Sequence, residues 1–310
     1  MYWTKFLAPM LLILSGTVLA QSLPSVTPTP TPVPGSRQTL NPGLHEKGSY
    51  ERLRTIEAVG ERERRPPPDL LTRRDNIYRK PSKDEVAALA VSEQLSAKYA
   101  EFLRMNDAGL VKLSSDFSCV GTSDVVVASD QCLPLRMPGA GTAFSFRTES
   151  YRLPRLADVI LLDGKIMTGG LFQQVIITNI GDTAIENITL ESSGLKYLIS
   201  VKPAVDSNEF MQFDSKLLDG IEANGVLYRK NEMAALNTAY ALRSIAYRGK
   251  SLRTLDGYLY NELEFDKRRD IIVVFRIVEM EPNGNVTILW KKLKDVEAPV
   301  LKVLKLPGQK

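Results

Sequence analysis

The sequence predicts an α+β chain that is mostly β: one N-terminal amphipathic helix, then a largely antiparallel sheet or sandwich-like body. Three observations predict it. A capped segment with one apolar face begins at Ser82. The turn dipeptides Asp163-Gly164, Asn224-Gly225, Asp256-Gly257 and Asn283-Gly284 punctuate the rest of the chain. Runs rich in β-branched residues, such as "RDIIVVFRIVEM" and "VTILWKKL", flank those turns. The chain of 310 residues is 44% hydrophobic and 25% charged, enough apolar content for one large domain or two small ones.

The N-terminus reads as a secretory signal over residues 1–20. Lys5 supplies a positive start, "FLAPMLLILSGTVLA" an apolar stretch, and Val18 and Ala20 the small residues before a cut at Gln21. The apolar run is short of the ~20 residues that span a bilayer, so an uncleaved anchor is the minority reading. No later segment is apolar enough to span a membrane, so no integral span is expected once the signal is removed.

Residues 21–81 read as a Pro-rich and Arg-rich disordered linker. "TPTPTPVPG" favours extended polyproline II, which makes a semi-rigid spacer. Residues 37–83 carry 12 Lys/Arg against 7 Asp/Glu, so the whole-chain net charge of +4 sits on this arm. "RRPPPD" is expected to break any helix there.

The helix follows. Ser82 and Glu85 form a capping box after Pro81, and Ala88, Val91, Leu95, Tyr99 and Phe102 recur at helical spacing, with Gly109 as the C-cap. Beyond it, "ADVILLDGKIMTGG" reads as a hairpin, "LFQQVIITNIGD" and "AIENITLES" as two strands, and "DSNEFMQFDSKLLDG" as a short helix. "NTAYALRSIAYRG" fits strand better than helix because glycine bounds it. Residues 82–200 are assigned to a helix-plus-β domain with a disulfide, and 201–310 to a β-rich second half packed with the first. The strand from Ile271 to Met280 could pair with another chain if it lies at a sheet edge.

Absences narrow the chemistry. His45, in the Pro/Gly-rich arm, is the one histidine, so Ser-His-Asp and Cys-His sites lack an anchored imidazole. Two cysteines and that histidine do not make a zinc cage, and no metal site or cofactor is expected. Ser193-x-x-Lys196 has the spacing of serine-lysine acyl enzymes, but no "KTG" or "SDN" accompanies it. "DSNE" supplies oxygen ligands for calcium without a glycine-anchored loop.

Glu262 and Glu264 are the catalytic candidates. On a strand they would share a face ~7 Å apart, a separation that glycoside hydrolysis can use. Arg243, Tyr247, Arg248, Tyr258 and Tyr260 form a candidate surface-binding set of alternating cations and aromatics. Interleaved acids from Asp256 to Asp270 argue for ordinary cross-strand ion pairs instead, and no nucleic-acid partner is expected. Cys119 and Cys132 lie outside any C-x-x-C pattern; export favours a disulfide that staples "DVVVAS" and its return loop.

The expectation is an exported protein, periplasmic or secreted. It is a non-enzymatic binding or structural module whose partner is an envelope polymer or another protein. The alternatives are a carboxylate-dependent glycan hydrolase and an anionic-polymer binder acting through the Arg-rich arm.

Overall fold

A computed structural model of the chain describes residues 66–121 and 129–302. The signal segment, the Thr-Pro spacer, His45 and most of "DVVVAS" lie outside the described residues.

The first element is a helix, α1 (Pro68–Tyr78), inside the stretch assigned to linker. The proline run starts this helix instead of breaking it. Proline occupies the first turn, where a missing N–H costs nothing and a fixed φ is already helical. Ser82 does form the capping box with Glu85, but the helix it opens, α2 (Lys83–Ala87), ends after five residues. Ser92 then caps a separate helix, α3 (Glu93–Lys98).

The break has a packing reason. Leu89 is buried in the cluster between the two main sheets, and Phe102 in the cluster on the opposite face of one of them. One straight helix cannot deliver both. Gly109 is likewise not a cap but part of strand β1 (Ala108–Leu113), paired directly with Trp290. A Cβ there would meet the Trp290 ring at 2.7 Å.

The body follows with strands β2 (Ala143–Ser145), β3 (Ser150–Tyr151), β4 (Val159–Leu162), β5 (Lys165–Thr168) and β6 (Gln173–Gly181). Helices α4 (Leu195–Ser200) and α5 (Ser207–Asp219) come next, then β7 (Ile221–Ala223), β8 (Val226–Tyr228), β9 (Asn231–Met233) and β10 (Ala239–Ala246). The chain closes with β11 (Leu252–Leu255), β12 (Tyr258–Asn261), β13 (Arg269–Met280) and β14 (Val286–Glu297). Three of the turn dipeptides make the expected two-residue hairpins, β4–β5, β7–β8 and β11–β12, with positive φ at both central residues. "AIENITLES" is not a strand: it holds a 3₁₀ turn at Ile185–Asn187, from which Ile185 and Ile188 pack against the sheet.

Two five-stranded antiparallel sheets result, ordered β1-β14-β13-β10-β6 and β3-β2-β4-β5-β9. Leu242, Val273, Phe275 and Trp290 of the first pack against Phe144, Val159, Leu161 and Ile166 of the second, so the two form a sandwich. The other face of the first sheet, with Ile176, Ala241, Ile272 and Val274, is covered by Leu195, Leu198 and Leu217 from α4 and α5. Burial on both faces explains why "DIIVVF" reads as a continuous apolar run and not as an alternation.

Residues 226–233 close one side. Arg229 bridges to Ile177 of the first sheet, and Met233 pairs with Lys165 of the second. β13 lies inside its sheet, between β14 and β10, so the edge envisaged for Ile271–Met280 is not available. The first sheet draws β1 and β6 from before residue 200 and β10, β13 and β14 from after it.

Candidate functional site

Near the surface of the fold, a phenol and two arginines converge on Glu262. The chain leaves β12 at Asn261, whose side chain caps a 3₁₀ turn at Glu262–Phe265. The two glutamates are therefore on a turn and not on a strand, as the alternation of "YNELEF" suggested. The turn sends them in different directions. Glu262 is buried, whereas Glu264 is exposed and accepts from Asn261 Nδ2 at 3.3 Å.

Glu262 Oε1 accepts from three groups: the Tyr78 hydroxyl at 2.9 Å, Arg253 Nη1 at 3.1 Å, and Arg155 Nε in a close ion pair. The Tyr260 hydroxyl lies 2.9 Å from that of Tyr78. Burial first, and the Glu262 charge second, push the Tyr78 hydroxyl well above its ordinary pKa, so it stays protonated and donates. Burial disfavours the Arg253 cation, but Glu262 beside it more than compensates and raises its pKa. Two arginines and a phenol thus converge on one oxygen of this carboxylate. A glycosidase needs a partner carboxylate across a sugar-sized cleft. Glu264 faces away and supplies none.

α1 is what this site holds. The Tyr78 ring stacks on Phe265 at 4.6 Å and meets Tyr260 edge-on at 6.0 Å. Arg152 donates to the Tyr78 carbonyl at 2.8 Å and to the Phe265 carbonyl. Arg74 lies over the Phe265 ring, and Arg73 pairs with Asp256 at 2.5 Å in the β11–β12 turn.

Beneath it lies a second, fully enclosed charge network. Arg147 donates from Nε to Asp158 at 2.8 Å, from Nη1 to Asp266, and from Nη2 to the Leu156 carbonyl at 2.9 Å. Asp158 also accepts from Ser145, Gln173 and Ser244. Arg268 bonds Asp266 at 2.7 Å and the carbonyls of Leu171, Phe172 and Tyr247. Burial lowers its pKa to about 10 despite Asp266 beside it. Both side chains of the Arg147–Asp158 pair have no exposed surface, so no substrate reaches them. The network ties β2, β4, β6 and β10 to the segment after the 262–265 turn.

The surface-binding set is dispersed. Arg243 is buried, with Nη2 on Asp270 at 2.8 Å and Nη1 on the carbonyls of Leu198 and Val201, which fastens α4 to the sheet. Tyr247 is also buried, with its hydroxyl donating to Gln174 at 2.5 Å. These two are corrected from surface to interior: the β10 end they occupy is covered on both faces. Arg248 is exposed at the margin of the fold, 3.8 Å from Glu297. Tyr258 and Tyr260 are half-buried on β12, Tyr260 turned to Tyr78.

Cys119 and Cys132 are joined in a disulfide, buried against Ala140. Ser193 and Lys196 line an open cavity of about 330 Å³ with Gly194, Asn224 and Tyr228, and both side chains are exposed to solvent. The Tyr228 hydroxyl is spent on the Gly194 carbonyl at 3.0 Å. Asp206 of "DSNE" caps α5 by accepting from the amides of Asn208 and Glu209. Among the described residues no group of three or more His, Cys, Asp or Glu is arranged to hold a metal ion. Among them, too, no helix is long and apolar enough to cross a membrane.

Sequence reasoning missed Tyr78, Arg152, Arg155 and Arg147. For the arginines the available signal was their spacing in "FSFRTESYRLPRLADV", where Arg147, Arg152 and Arg155 alternate with Phe146, Tyr151, Leu153 and Leu156. No family model matches the chain, and no curated protein or solved structure matches it.

Proposed function

We propose that the chain is an exported, non-enzymatic binding or structural module that acts outside the cytoplasm, with an envelope polymer or another protein as its partner. The observation that carries this reading is the state of Glu262, whose carboxylate is engaged by Tyr78, Arg155 and Arg253 while Glu264 points to solvent. The only carboxylate pair offered by the sequence as a glycan-cleaving device is thus split. The signal-like N-terminus, the Thr-Pro spacer and the buried disulfide support export.

The test is a polysaccharide screen with the full chain, reading new reducing ends and co-sedimentation with insoluble envelope material. Binding without cleavage is expected. Cleavage that disappears in Glu262→Gln or Glu264→Gln would overturn the reading in favour of a hydrolase.

A further inference from the structure

We propose that α1 and the β11–β12 hairpin form a latch that opens and closes as one unit on the sandwich, pinned by Glu262 of the 262–265 turn, which stays with the body through the buried Leu263. Four observations carry this. First, α1 is a polar helix that buries only Leu70 and Tyr78. Second, β11 and β12 form a two-stranded sheet of their own, paired with neither five-stranded sheet, and no residue from 252 to 261 is buried. Isolated hairpins of this kind are marginal without a packing partner. Third, neither large apolar cluster of the body contains a residue of 68–78 or 252–262. Tyr78 belongs instead to a small cluster with Leu153, Leu156, Tyr260 and Phe265. Opening the latch therefore costs that small cluster together with the Glu262, Arg152 and Arg74 contacts, and leaves both large clusters of the sandwich intact.

Fourth, helix, hairpin and body converge on one carboxylate: Tyr78 comes from α1, Arg253 from β11, and Arg155 from the segment before β4. Loss of that anion removes the acceptor shared by Tyr78 of the helix and Arg253 of the hairpin, so the two part from the body together. The connection to α2 is short and stiff: Pro81 lies in it, and Arg79 pairs across it with both oxygens of Glu85, so the latch pivots on α2. This inference stands on packing and holds whether or not the protein has a catalytic activity.

The experiment is amide hydrogen exchange on the full chain and on Glu262→Gln. Amides of α1 and of β11–β12 are expected to exchange about 10- to 100-fold faster in the variant, the loss expected for one charged hydrogen bond, with β13 and β14 unchanged. Tyr78→Phe, which removes only the hydroxyl, should accelerate the same two segments and no others; Glu264→Gln should accelerate neither. Unchanged exchange in α1, or equal acceleration of latch and sandwich, would overturn the proposal. Should Glu262→Gln fail to fold, Tyr78→Phe decides by the same criterion.

Discussion

Tyr78 and Glu262 are 184 positions apart in the chain, and the hydroxyl of one donates to the carboxylate of the other at 2.9 Å. The contact fastens the first described helix to a turn near the end of the chain. It also gathers a phenol from the helix and arginines from β11 and the body onto a single carboxylate oxygen.

Tyr78→Ala removes both the hydroxyl and the ring stacked on Phe265. Trypsin should then cut at Arg73 and Arg74 well before it attacks the body. The urea midpoint of the sandwich itself should stay close to the parent's, because Tyr78 contributes to neither of its large apolar clusters. Time-resolved digestion followed by mass spectrometry, with urea unfolding alongside, checks both outcomes.

Asp266 predicts an acid limb. Burial pushes its carboxyl up, but Arg147 and Arg268 beside it prevail and hold it below the ordinary value. A folded-state pKa below the unfolded one, about 3.9, gives stability that is complete above that value and fades as pH falls through the folded one. Asp266→Asn leaves two buried guanidiniums short of an anion and should cost about 3–5 kcal/mol at neutral pH. It should also flatten the pH dependence below about pH 4. Urea midpoints taken from pH 7 downward, at about half-unit steps, measure both.

The Cys119–Cys132 bridge closes a short loop. Replacing both cysteines by alanine should cost about 3 kcal/mol in the chain-entropy picture. Thiol titration of the unreduced, unfolded protein should detect no free thiol, and finding two would remove the bridge and weaken the case for export.

Gly109 admits no side chain. Its Cβ would enter the Trp290 ring at 2.7 Å, so Gly109→Ala should destabilise by about 1–3 kcal/mol and shift tryptophan emission. Gly249→Ala is the control: nothing lies within 4 Å of a Cβ there, and thermal melting should barely change.

Local chemistry was legible. The hairpin turns at Asp163, Asn224 and Asp256 carry the residues that tolerate positive φ, and the cap at Ser82 carries a side chain that accepts from the Glu85 amide. Those signals depend on neighbours a few residues away, and the structure keeps them. The long helix expected from Ser82 failed for a non-local reason: Leu89 and Phe102 are claimed by opposite faces of the first sheet. The alternation at Glu262 and Glu264 failed similarly, because the capped turn after β12 broke the strand that the spacing assumed.

The sequence by itself determined the α+β class, the antiparallel hairpins and the pairing of the only two cysteines, since composition, turn chemistry and count suffice for these. Only the tertiary structure decided that Arg243 and Tyr247 lie inside, that β13 is central, and that α1 returns to Tyr260, Glu262 and Phe265. Each of these depends on which distant segments share a face. A tyrosine in the chain reads the same whether its hydroxyl meets water or a buried carboxylate supplied from 184 positions away.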